Sequence, residues 1–299
     1  MAASKRYLPP EAVSRAQRLE LKARQIVEGF LSGSHRSPYF GQSVEFVQHR
    51  QYVPGDDVRH VDWKVWARQD RLVIKQYEED TNLRCTLLVD SSASMNYGAE
   101  QNSKFDYAAT LAACMALLIL KQQDAVASIL FDNKIRSRVP MRTSQRHLAD
   151  IIASFENARP AEKTNLDSIF KDIVQSSSRR GLMVLFSDLL GAEESALRGI
   201  STLRKAGNDV MVIHVLHDDE LDFPFSDPTR FEGLESLDHL TCNPRALREG
   251  YLEALNRSLI RIRRTCAASK CDYLLVRTSD APDAVLSSLV ASRDHTTRR

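Results

Sequence analysis

Cys85-Thr86-Leu87-Leu88-Val89-Asp90-Ser91-Ser92-Ala93-Ser94 is the stretch on which the fold turns. The run from Cys85 to Val89 carries no charge and reads as a short buried strand. It ends on a carboxylate and two alternating hydroxyls: Asp90, Ser92 and Ser94. These are hard oxygen ligands of the kind that Mg²⁺ prefers.

Working outward, Lys104 to Lys121 is apolar nearly all round and predicts a buried helix. Ala125 to Phe131, Lys134 to Val139, Leu182 to Phe186, Val210 to Leu216 and Tyr273 to Val276 read as strands. Gln145 to Phe155, Leu166 to Val174, Glu193 to Lys205, Arg245 to Cys266 and Asp283 to Val290 read as helices. This alternation predicts an α/β fold: a mostly parallel central sheet flanked by helices. Ligands of such sheets collect outside the carboxyl ends of the strands. Asp188 follows the strand Leu182 to Phe186 at that edge, and Thr164 begins the helix Leu166 to Val174, whose loop can lie on the same side. Asp90, Ser92, Ser94, Thr164 and Asp188 are therefore the expected metal ligands. Mg²⁺ is the expected cation, with Mn²⁺ also compatible with oxygen ligands. A shell of two carboxylates and three hydroxyls leaves room for an outside oxygen, and a carboxylate on a partner suits it. Asp and Ser after a strand are also common turn and capping residues, so the reading rests on all three segments together.

The chain before this strand has a different character. Ala12, Ala16, Leu19, Leu21, Ala23, Ile26 and Val27 recur at roughly helical spacing from about Pro10 to Phe30. Ser43 to Tyr77 is short and irregular, with Pro54-Gly55-Asp56 as a turn and Leu72-Val73-Ile74 as a strand. The expected division is a small α+β segment over 1–82 and the sheet domain over 83–299. A lattice of Arg–Asp pairs is expected to support the small segment. An acidic stretch at about 217–240 interrupts the strand–helix alternation. It contains Asp218, Asp219, Glu220, Asp222 and Phe223-Pro224-Phe225. It is expected to be an inserted surface excursion, either a docking surface or a solubilising loop.

Composition narrows the function classes. The 299 residues are 43% hydrophobic, and 41 basic against 39 acidic residues leave a formal charge of +2. That balance makes no general case for nucleic acid or an acidic membrane. Arg257, Arg261, Arg263 and Arg264 follow Glu249 and Glu253 on the long helix, which fits an ordinary solvated face. Five cysteines without a C-x-x-C pair predict free thiols and a reducing compartment. The run Ala108 to Leu120 is too short to span a bilayer, and Met1 to Pro10 shows no secretory signal. The expectation is a cytoplasmic protein with no membrane span.

Catalysis is not expected. A Mg²⁺-dependent, phosphatase-like hydrolase is the rival, but Ser92 stands where a second Asp would follow the first. There is no G-x-S-x-G elbow and no phosphate-binding G-x-x-x-x-G-K loop. Neither His60 nor His214 is paired with a nucleophile in sequence, and His214, in an apolar strand, reads as a satisfied core histidine.

Asp90-Ser91-Ser92-Ala93-Ser94, Lys163-Thr164-Asn165-Leu166 and Phe186-Ser187-Asp188 together resemble the metal-ion-dependent adhesion site of von Willebrand factor A domains. The resemblance covers roughly Leu83 to Val290. It implies a six-stranded Rossmann-like sheet whose metal, held by Asp90, Ser92, Ser94, Thr164 and Asp188, captures a partner's acidic residue. Upstream, Gly41 to Phe46, Arg50-Gln51-Tyr52-Val53-Pro54-Gly55-Asp56-Asp57 and Arg59-His60-Val61-Asp62-Trp63-Lys64 resemble bacterial domain-of-unknown-function family fifty-eight. Members carry a von Willebrand factor A-like domain and are typically encoded beside MoxR-type AAA+ ATPases. Many have N-terminal transmembrane helices, and this chain resembles the short soluble form. The resemblance implies an adaptor or co-chaperone that works with such an ATPase on a client complex.

Overall fold

The computed structural model describes residues 10–32, 46–53, 61–69, 71–77, 83–99, 102–160, 166–176, 180–190, 193–234 and 239–296. Contacts divide the chain into two compact units. One joins Met1–His35 to Leu83–Arg299, and the other is Arg36–Asn82.

The smaller unit is a β layer with one short helix. Strand β1 (Phe46–Gln51) pairs antiparallel with β2 (Val73–Tyr77), and α2 (Trp63–Gln69) lies between them in sequence. Asp62 starts α2 by accepting the Val65 amide at 3.3 Å, as side-chain oxygens do at helix starts. Trp63 and Trp66 stand edge to face, with centroids 5.9 Å apart, and both are exposed. The small β layer of the sequence reading is present. Its expected Arg–Asp lattice involves Asp56, Asp57 and Arg59, which lie outside the described residues.

The larger unit is the expected α/β domain. Its strands are β3 (Arg84–Asp90), β4 (Ala125–Phe131), β5 (Ile135–Arg142), β6 (Leu182–Ser187), β7 (Asp209–Leu216) and β10 (Asp272–Arg277). They form one sheet in the order β10-β7-β6-β3-β4-β5. All neighbours are parallel except β4 and β5, which form an antiparallel hairpin at one edge. Hydrophobic runs on the central strands follow from burial on both faces. By contrast, β5 alternates half-buried and exposed positions. The short strands β8 (Thr229–Glu232) and β9 (His239–Cys242) make a separate hairpin.

Alternate residues of β3 serve opposite faces. Leu88 joins Leu185 and Val212 in a core completed by Phe170 and Ile173 of α5 (Leu166–Ser176), Ile200 and Leu203 of α6 (Glu193–Lys205), and Ile262 of α8 (Pro244–Ala268). On the other face lies α3 (Lys104–Lys121), which touches β3, β4, β6 and β7. It is also covered by α1 (Pro10–Ser32), α4 (His147–Glu156) and α9 (Pro282–Thr296). Cover on both sides explains why α3 is apolar nearly all round.

The first helix corrects the expected division at residue 82. Ala23, Val27 and Phe30 are buried at i, i+4 and i+7, and α1 packs on α3, α4 and α9. It therefore belongs with the sheet domain, because α3 needs its outer apolar stripe covered. All five cysteines are free thiols, and burial pushes the Cys114 thiol up to about 12.

Candidate metal centre

The chain runs from β3 outward to β4 and β5, then returns to β6 on the other side of β3. The carboxyl ends of β3 and β6 are thus the switch point of the sheet, where adjacent loops diverge and leave a crevice. Asp90 is the last residue of β3, and Asp188 follows β6.

The loop after β3 is fixed by its own polar groups. The Ser91 amide and hydroxyl both donate to the carbonyl of Phe131 at the end of β4, at 2.7 and 3.0 Å. Asp90 Oδ1 accepts the Ser92 amide at 2.9 Å, and Oδ2 accepts the Ser187 hydroxyl at 2.6 Å. The Ser92 and Ser94 hydroxyls lie 3.1 Å apart. Asp90, Ser92 and Ser94 are all buried. Gly98, at φ +123°, turns the chain back toward α3, and a Cβ there would meet the Asn102 carbonyl at 2.8 Å.

The loop after β6 is held differently. Leu189 has φ +53°, a left-handed conformation that costs a bulky residue energy and needs external support. Support comes from the Leu189 amide donating to Ser187 Oγ at 3.0 Å and the Leu190 amide donating to Asp188 Oδ1 at 3.1 Å. Asp188 Oδ2 accepts Lys104 Nζ at 2.6 Å. Lys104 is the first residue of α3 and is fully buried. Its ammonium also donates to Glu220 Oε1 at 2.6 Å and lies 6.0 Å from the centre of the Tyr97 ring. His214, on β7, reaches the Asp188 carbonyl with Nε2 at 2.8 Å and the Tyr273 hydroxyl with Nδ1 at 2.9 Å. Both ring nitrogens are satisfied, as the sequence reading expected.

Burial pushes the Asp90 carboxyl up to about 7, and the neighbouring Asp188 charge adds to the rise. Burial alone would lower Lys104, but Asp188 and Glu220 outweigh it and hold the ammonium charged. Burial lowers His214 to about 4, so the ring is neutral near pH 7.

The donors suit a hard divalent cation. Oxygens in adjacent octahedral positions around a Mg²⁺ with bonds of about 2.1 Å are about 3.0 Å apart, close to the separation of the two serine hydroxyls. Asp90 lies buried, and burial and the Asp188 charge both raise its carboxyl, so a positive charge there relieves both burial and repulsion. Of the five expected ligands, the structure places Asp90, Ser92, Ser94 and Asp188 at this one edge; Thr164 lies outside the described residues. Among the described residues, no group of three His, Cys, Asp or Glu is arranged as a metal cage. The sequence reading missed Lys104, Ser187 and Glu220. The one available signal was a lysine opening an otherwise apolar helix behind the capping pair Ser103 and Asp106.

Uncharacterised proteins of Mycobacterium tuberculosis and Mycobacterium bovis are each 29% identical over 291 residues, spanning 95% of this chain and 90% of theirs. Among solved structures, the conserved hypothetical protein BatB from Bacteroides thetaiotaomicron is similar over 70% of this chain and 98% of its own, with a TM-score of 0.43 and 17% identity. The manganese-loaded TRAP protein of Plasmodium vivax is similar over 44% of this chain and 56% of its own, with a TM-score of 0.32 and 16% identity. The profile of the family described as "Protein of unknown function DUF58" matches residues 48–259. With this match running from the small β layer through the six-stranded sheet and into α8, the chain belongs to the DUF58 family.

Proposed function

We propose that this protein is a metal-ion-dependent protein-binding module and not an enzyme. The reading is carried by the convergence of Asp90, Ser92 and Ser94 with Asp188 at the switch point of the sheet. Asp90, Ser92, Ser94, Thr164 and Asp188 hold Mg²⁺, or Mn²⁺, and the cation supplies an attachment point for an acidic residue of the partner. Lys104, His214 and the Leu189 turn orient Asp188, while Ser187 and the Ser92 amide orient Asp90. The partner is a MoxR-type AAA+ ATPase or its client, and the protein acts as an adaptor or co-chaperone in remodelling that client, in the cytoplasm. Among the described residues, no helix is long and apolar enough to cross a membrane.

The test is a thermal-shift titration with Mg²⁺ and Mn²⁺, followed by capture of the ATPase. Asp188→Ala takes one of its two carboxylate partners from the buried Lys104 ammonium, so Asp90→Asn and Ser94→Ala are the cleaner variants. A cation at a hundred times its dissociation constant stabilises the natural chain by about 2.7 kcal/mol. Loss of that rise in both variants, with Mg²⁺-dependent capture abolished by EDTA, is the expected result. Capture that persists in Asp90→Asn with EDTA present defeats the metal-bridge mechanism.

A further inference from the structure

The acidic excursion after β7 reaches the metal centre. Its first element is α7 (Asp218–Asp222), a single turn. Helices this short do not hold themselves together, so external contacts maintain it. Glu220 is the hub of those contacts. Its Oε2 accepts the His217 amide at 2.8 Å, closing the capping box, and its carbonyl accepts the Tyr251 hydroxyl of α8 at 2.9 Å. Its Oε1 takes the Lys104 ammonium. Beside it, Asp219 accepts the Tyr97 hydroxyl at 3.1 Å. Phe223 ends the turn at φ +44°; its ring is buried against Phe225, Phe231 of β8 and Tyr251. The strained residue and the one-turn helix are thus held by an aromatic cluster on one side and one shared ammonium on the other.

Resting on the metal-centre reading, we propose that Lys104 and Glu220 are positioning residues that couple occupancy of the metal site to the packing of the excursion. Lys104 is shared between Asp188 and Glu220, both at 2.6 Å. A divalent cation at Asp90 and Asp188 competes for the same carboxylate and repels the ammonium. Both effects move Lys104 toward Glu220, which tightens α7 and the hairpin β8–β9 anchored beyond it. By reciprocity, whatever docks on the excursion and draws Glu220 away from Lys104 weakens the metal site. The excursion is on this view a sensor of the site.

The experiment is hydrogen exchange of the full chain in MgCl₂ and in EDTA, read at the amides of 217–223, beside Mg²⁺ titrations. In the natural chain Mg²⁺ slows exchange there severalfold. Glu220→Gln keeps a Mg²⁺-dependent thermal rise but loses the change in exchange. It binds Mg²⁺ more weakly, because Lys104 is left to Asp188 alone. Lys104→Met binds Mg²⁺ more tightly, because the competing cation is gone; Glu220→Gln carries the test if Lys104→Met fails to fold. A purely structural role would not give these opposite signs. Mg²⁺ stabilisation with unchanged exchange at 217–223 in the natural chain, or a Mg²⁺-dependent change that persists in Glu220→Gln, overturns the coupling and leaves the metal centre standing. No Mg²⁺ effect on the natural chain overturns both.

Discussion

The two loops that build the candidate site solve the same problem in opposite ways. Each buries an aspartate at the end of a central strand. After β3, Asp90 is met by an amide and a hydroxyl, both neutral. After β6, Asp188 is met by the ammonium of Lys104. Neutral donors leave the first carboxyl pushed up to about 7 by burial and by Asp188. The second is already paired with a charge. The comparison teaches that two carboxylates buried at one sheet edge can be held differently, Asp188 by the Lys104 ammonium and Asp90 with its carboxyl raised by burial and by its neighbour's charge.

The sharpest way to break the comparison is to remove the charge from the β6 side. Lys104→Met leaves Asp188, and Glu220 beside it, without their counter-ion in a buried setting. Breaking a buried pair costs about 3–5 kcal/mol, so urea denaturation without metal should show a loss of that order. A loss under about 1 kcal/mol would mean that the loops are not held differently.

A second test uses pH in the absence of metal. Folding lowers His214 to about 4 from 6.5. Between those values the unfolded chain carries a proton that the folded chain lacks, so this residue makes stability rise with pH. Asp90 does the reverse: its folded value is above the ordinary 3.8, so its share falls as pH rises toward 7. The two offset each other over the shared window. Asp90→Asn leaves the histidine unopposed, and stability should then rise by up to about 1.4 kcal/mol per pH unit between pH values of roughly 4.5 and 6. Equal pH profiles in the variant and the natural chain would refute the assignment.

Smaller effects sharpen the contrast. Ser187→Ala removes the hydroxyl that donates to Asp90 and accepts from Leu189, and should cost about 1–2 kcal/mol in denaturant titration. Glu253 and Arg257 form an exposed pair at 3.9 Å on α8. Glu253→Ala should change stability by less than about 0.5 kcal/mol by the same measurement, which separates buried from solvated charge.

The strand, the D-x-S-x-S loop and the alternation that makes the sheet are legible in sequence because each is a local pattern. A run such as Leu87-Leu88-Val89 signals burial on both faces, and Asp90, Ser92 and Ser94 are neighbours in the chain. Asp188 is legible because a second apolar run stops just before it. Lys104 and Glu220 are not, since their partner lies 84 residues from one of them and the two stand 116 residues apart. Lys104 reads as a helix boundary and Glu220 as one acid among many. Pairing over such distances is a product of the tertiary fold, to which periodicity is blind. The same holds for α1, whose apolar stripe is evident but whose destination on α3 is not.

The outer strand β5 has a consequence for how this protein behaves in concentrated solution. Its exposed residues include Arg138 and Arg142, and it carries Pro140, which has no amide to donate. Like-charged arginines and an interrupted ladder deter another chain from adding to the sheet. That margin is therefore guarded against edge-to-edge aggregation, and neutralising Arg138 and Arg142 should raise turbidity at high concentration before it changes the melting temperature.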